Sequence, residues 1–204
     1  VIVLLAIAVI RTFAMKAPPI PAYTPECAPE ELKTAEEKLG DMIRIPTVSK
    51  HEHEDLSQFY LYHEELERLF PLLHEKLEKT VLGGTLIYRW QGRDADKLPV
   101  LFMGHQDVVP ASDEGWSVPA YSGIAKEDGC LYGRGALDCK GTMYVQMQAV
   151  EELLEEGFVP PCDVYLEYSI NEETGGDGAA AAMRYLRDKG IRFAFVLDEG
   201  GAVI

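Results

Sequence analysis

The chain is poor in cysteine, and none of its four, Cys27, Cys130, Cys139 and Cys162, forms a C-x-x-C pair. That excludes a zinc finger or ribbon and leaves small buried or inert thiols as the simplest expectation; in an exported protein some could pair. Basic residues are also scarce. Nineteen Lys and Arg face 34 Asp and Glu, a formal net charge of -15. Nucleic acid is therefore not an expected partner, because phosphate binding needs a basic surface. The acidity is most simply a solubilising surface. An initiating methionine is missing too: the chain opens on the apolar run VIVLLAIAVI (Val1 to Ile10), followed by Arg11. A run that short does not span a bilayer. It reads as the tail of a signal peptide or membrane anchor, and the lack of a clear A-x-A cleavage site favours an anchor. Residues 1–15 are assigned to that segment. The expected location is membrane-anchored or exported, in a secretory, periplasmic or vacuolar-type compartment. There is no internal repeat and no low-complexity tract.

What is present suits one domain with a real core: 204 residues, 47% of them hydrophobic. Residues 16–29 contain five prolines and read as a linker. Pro29 to Arg44 reads as a helix, with Pro in its first turn, acids near its start and Gly40 weakening its later part. Asp55 to Lys79 reads as a long amphipathic helix that Pro71 bends or divides. Strands are expected at Thr85 to Gln91, Val100 to Met103, Val164 to Ile170 and Phe193 to Leu197, the second and last as buried runs. Helices are expected at Lys140 to Glu156, with Gly157 as its cap, and at Asp177 to Lys189, with an Asp cap. Strands alternating with helices predict an α/β fold, a mixed and mostly parallel sheet flanked by helices.

The polar residues fall at particular places on that framework. His105 and Asp107 follow one expected strand, Glu172 and Glu173 another, and Asp198 a third. In open α/β sheets the carboxyl ends of the strands form the ligand-binding edge. Asp138 lies in the glycine-rich stretch GRGALDCKG (Gly133 to Gly141), just before a helix. Four loops thus bring one histidine and several carboxylates toward one edge, a donor set that zinc accepts. Singly, H-x-D, a pair of glutamates or a glycine-rich turn is a common feature of protein surfaces; their coincidence at strand ends carries the signal.

These residues also carry a resemblance. MGHQDVVP (Met103 to Pro110), LYGRGALDCKG (Leu131 to Gly141), NEETGG (Asn171 to Gly176) and LDEGG (Leu197 to Gly201) occur in order, and IPTVS (Ile45 to Ser49) and the Trp116 region agree with them. From about Leu32 onward the chain resembles the co-catalytic zinc exopeptidases and deacylases, the family of carboxypeptidase S, glutamate carboxypeptidase and the aminoacylases. Val-Val-Pro and GALDCKG look closest to the carboxypeptidase S-like branch. The resemblance implies two Zn2+, with Co2+ or Mn2+ as alternatives. His105 would bind one ion, Asp138 would bridge both, Asp198 would complete the ion held by His105, and Glu173 would bind the other. Glu172 would be the general base and acid, and Asp107 would orient His105 by hydrogen bonding.

The implied activity is hydrolysis of a peptide or amide bond beside a free carboxylate, as in a carboxypeptidase. The alternative within the family is an N-acyl amino-acid deacylase, and the alternative from another class is a catalytically dead binding or scaffold relative. The last would be expected to lose Glu172 or Asp138, and both are present. The expected partner is a small peptide or N-acyl amino acid. Residues 30–204 would be the N-terminal part of a catalytic domain truncated on its C-terminal side. By resemblance a later histidine and a smaller lid or dimerisation domain would follow, with a homodimer formed through that domain, and the piece alone would be inactive. Cys139 stands where Met or Asp is common, and Val118 to Tyr121 lacks the frequent double proline and phenylalanine. His51, His53, His63 and His74 read as surface or packing histidines.

Overall fold

A computed structural model of the protein describes residues 3–5, 11–12, 29–50 and 55–199. The expected linker, Cys27, His51 and His53 lie outside these residues. Among the described residues no helix is long and apolar enough to cross a membrane.

Helix α1 (Pro29–Arg44) matches the expected span. Gly40 does not end it, and the helix backbone packs there against a turn: a Cβ at Gly40 would lie 2.8 Å from the carbonyl oxygen of Gly123. The long helix expected over Asp55 to Lys79 is instead α2 (Ser57–Leu69) and α3 (Pro71–Lys76). Phe70, at φ −130° and ψ 65°, breaks it. Proline excludes the helical conformation from the residue before it and then starts the next helix at its first position. The last residues of that expected helix belong to strand β1 (Glu78–Leu82), which turns through Gly83 and Gly84, both at positive φ, into β2 (Thr85–Trp90). Two such glycines suit the tight two-residue hairpin turn.

The remaining elements are β3 (Val100–His105), the short pair β4 (Ile124–Ala125) and β5 (Leu131–Tyr132), α4 (Lys140–Glu155), β6 (Val164–Ser169), α5 (Asp177–Asp188) and β7 (Phe195–Leu197). The main sheet has the order β1-β2-β6-β3-β7. β1, β2 and β6 pair antiparallel; β6, β3 and β7 pair parallel, with His105 opposite Ser169. Alternation along the strands sends Leu86, Tyr88, Leu166 and Tyr168 to one face, where α1 to α4 supply Met42, Tyr62, Leu66, Leu73, Met143 and Met147. Ile87, Leu101 and Tyr165 face the other way onto Ala182 and Leu186 of α5. The result is a mixed sheet between two helical layers.

Two expectations need correction. Phe193 to Leu197 was expected as a buried strand, but β7 is an edge with Phe195, Val196 and Leu197 each about half exposed. An apolar run reads as buried whether or not a neighbour covers it, since hydropathy carries no contact information. Helix α5 has no side-chain Asp cap either. Gly176 is its N-cap in a left-handed conformation, and Asp177 instead accepts a hydrogen bond from the Asn171 amide at 2.9 Å.

Candidate metal centre

β3 ends at His105, whose side chain is buried at 1% exposure. Its backbone N–H donates to the Cys139 sulfur at 2.9 Å. Its Nδ1 lies 2.9 Å from the Asp107 carbonyl oxygen and 3.4 Å from Asp107 Oδ1. Donation from Nδ1 to that carbonyl leaves Nε2 as the nitrogen that would face a metal once it gives up its proton. Nε2 faces carboxylates: Asp138 Oδ1 at 2.8 Å, Glu199 Oε1 at 3.7 Å and Glu172 Oε2 at 3.9 Å. Burial pushes the imidazole pKa down, but hydrogen bonding to Asp107 and Cys139 outweighs it and holds the ring above its ordinary value. The negative surroundings that retain a proton there equally favour a divalent cation.

Asp107 is fully buried and joins two loops. Its Oδ1 accepts the Glu172 N–H at 3.2 Å and its Oδ2 the Glu173 N–H at 3.1 Å. The glutamate turn is shaped locally by Asn171, which adopts positive φ, a conformation Asn tolerates. Glu173 has its pKa raised by burial and then by the neighbouring Asp138 charge. Ligand atoms of His105, Asp138 and Glu173 all lie within 4.8 Å of one another.

The structure thus brings together His105, Asp107, Asp138, Glu172 and Glu173. It does not bring Asp198 into the group. Asp198 is exposed at the end of β7 and its Oδ1 accepts the Glu199 N–H at 2.9 Å. Glu199, which is not among the residues expected from sequence, forms a second compact group with His105 and Cys139. Its pKa is raised, chiefly by burial. The signal available in the sequence was only that two acids stand side by side in LDEGG. Cys139 is fully buried, and burial raises its pKa, so it stays a thiol bonded to the His105 backbone. His63 and His74 are packing groups as expected. His63 Nε2 lies 2.7 Å from Gln106 Oε1, and His74 Nε2 lies 2.9 Å from the Tyr88 hydroxyl.

Beside the Asp138 turn opens an apolar groove of about 1100 Å³ between α4 and the β3–β7 edge. Ala136, Leu137 and Gly141, which flank Asp138, line its near end, and Phe102, Phe195 and Leu197 its floor. Leu137 is 91% exposed.

The model of peptidase family M20/M25/M40 matches residues 101–203. The N-fatty-acyl-amino acid synthase/hydrolase PM20D1 of Xenopus tropicalis is 36% identical, over all of this chain and 41% of its own length. Carboxypeptidase S of Saccharomyces cerevisiae is 36% identical, over 82% of this chain and 32% of its own. A crystal structure of the M20 family metallo-carboxypeptidase Sso-CP2 from Sulfolobus solfataricus superposes with a TM-score of 0.64 at 25% identity, over 86% of this chain and 38% of that one. The chain therefore spans well under half the length of these relatives. The matched segment holds every acid and the histidine of the cluster just described, and the chain belongs to peptidase family M20/M25/M40.

Proposed function

We propose that the protein is a metal-dependent hydrolase that cleaves a peptide or amide bond beside a free-carboxylate amino acid. The observation that carries this reading is the convergence of His105, Asp138 and Glu173 ligand atoms within 4.8 Å at the carboxyl edge of the sheet. One imidazole whose Nε2 faces several carboxylates fits zinc, and also Co2+ or Mn2+. His105, Asp138 and Glu173 would hold metal. Asp198, by its place in the motif, or Glu199, by its position in the structure, completes the set around His105.

Bound metal would supply Lewis acidity toward the scissile carbonyl and toward water. The chain's own groups do the rest. Glu172 is about half exposed and stands 3.9 Å from His105 Nε2. It takes the proton from the attacking water and passes it to the leaving amine as the C–N bond breaks. Asp107 fixes the backbone of that glutamate and keeps the His105 ring oriented.

A second reading, N-acyl amino-acid hydrolysis, is favoured by the groove. An apolar groove lined by Ala136 and Leu137, next to Asp138, suits an acyl chain better than a polar dipeptide. The test is a panel of dipeptides and N-acyl amino acids of increasing chain length, assayed on the full-length, zinc-loaded protein. Amino-acid release that stops on chelation is expected. Rates rising with acyl length would decide for the second reading, and metal-loaded protein inert toward the whole panel would overturn both.

A further inference from the structure

The segment Ile45 to Ser49, between α1 and α2, is tied to the three segments that carry His105, Asp138 and Glu173. Thr47 Oγ1 donates to the Gln106 carbonyl at 2.5 Å, and the Thr47 carbonyl accepts the Val108 N–H at 3.0 Å. Val48 forms a parallel bridge with Val108. These contacts bracket His105 and Asp107. Ser49 Oγ accepts the Asn171 N–H at 3.2 Å, at the root of the Glu172–Glu173 turn. The Ile45 carbonyl accepts from Lys140 Nζ at 2.6 Å, and the Met42 carbonyl from the same amine at 2.9 Å. Lys140 follows the Asp138–Cys139 pair directly.

The burial of these groups is unusual for their chemistry. Thr47 and Lys140 are fully buried and Ser49 is 5% exposed. The Lys140 amine rests 4.5 Å from the Tyr62 ring centroid, and its two hydrogen-bond acceptors are backbone carbonyls. Removing an amine from water costs several kcal/mol unless geometry compensates. Here it ends α1, where helical carbonyls lack partners, and ties that end to the start of α4.

We propose that Ile45–Ser49, with Lys140, is a positioning strap that sets the separation of the His105, Asp138 and Glu173 loops and hence the affinity of the site for metal. None of these strap groups is itself placed among the ligands, and they act through backbone atoms of the loops. This rests on the metal-site reading above.

The test compares unaltered protein with Thr47→Val, Thr47→Ser, Ser49→Ala and Lys140→Met by Co2+ titration. The readouts are the dissociation constant, the visible absorption of the bound ion, and thermal unfolding of the metal-free protein. Changes one shell away from a metal typically weaken it about 10- to 100-fold. Thr47→Val and Ser49→Ala, which each remove one hydroxyl, should weaken Co2+ about tenfold and alter its absorption with little change in metal-free unfolding. Thr47→Ser should restore both. Lys140→Met should have the larger effect, and if it does not fold the two hydroxyl variants decide. Affinity and spectrum unchanged in both hydroxyl variants would overturn the strap. Unaltered protein that binds no Co2+ would instead overturn the metal-site reading on which it rests.

Discussion

The two sides of the sheet differ in how completely they are packed. β2 and β6 lie inside the molecule: Leu86, Tyr88 and Tyr168 are fully buried, and the loops after β3 and β6 are pinned by Asp107 and Gln106. Among the described residues β7 has one neighbour, and it shows about half of each of its three apolar side chains. The ligand geometry follows this difference. On the packed side His105 and Asp107 have one arrangement, fixed by hydrogen bonds on both ring and backbone. On the open side two adjacent acids, Asp198 and Glu199, are the alternatives for one proposed ligand. A site residue is defined as tightly as the strand that carries it.

The largest effect should come from the packed side. Glu172→Gln in the full-length protein should keep metal and lower turnover by about 10²- to 10⁴-fold, since the proposed general base is lost while its backbone stays tied to Asp107. Bound metal and rate are measured together; lost metal would make Glu172 a ligand. Stability should divide the same way. Leu86→Ala should destabilise by about 2–5 kcal/mol in denaturant unfolding, whereas Leu197→Ser should cost less than about 1 kcal/mol. Equal costs would show that β7 is covered in solution.

Asp198→Asn and Glu199→Gln sharpen the comparison on the open side. The variant that removes a ligand should weaken Co2+ by at least about tenfold, and the other should stay within about threefold. Loss in Glu199→Gln would follow the geometry, and loss in Asp198→Asn would follow the motif.

The smallest effect concerns pH. Burial lowers the pKa of His74 and of His63 below the ordinary 6.5. Each is neutral in the folded protein where the unfolded chain would already be protonated. Their contribution is therefore complete above pH 6.5 and is lost as pH falls through their folded values. Stability measured between pH 7.5 and 5 should decline, and His74→Gln should flatten part of that decline.

Much of this was legible in local sequence. Helix α1, the strands at Thr85, Val100 and Val164, and helices α4 and α5 match runs whose periodicity and flanking glycines and prolines are read within a dozen residues. The strand-end placement of His105, Asp107, Glu172 and Glu173 followed from those runs. Non-local facts did not. The Lys140 amine reaches carbonyls 98 and 95 positions away, and His63 reaches Gln106 across 43. No window of sequence contains both partners.

By itself the sequence determined which chemical groups stand at which strand ends, because strand and helix periods are properties of neighbouring residues. Tertiary structure decided which of those groups face one another. It turned Glu199 rather than Asp198 toward His105, buried Lys140 against Tyr62, and left β7, among the described residues, paired on one side. Each outcome depends on contacts between segments far apart in the chain, where packing and hydrogen-bond satisfaction override any local preference.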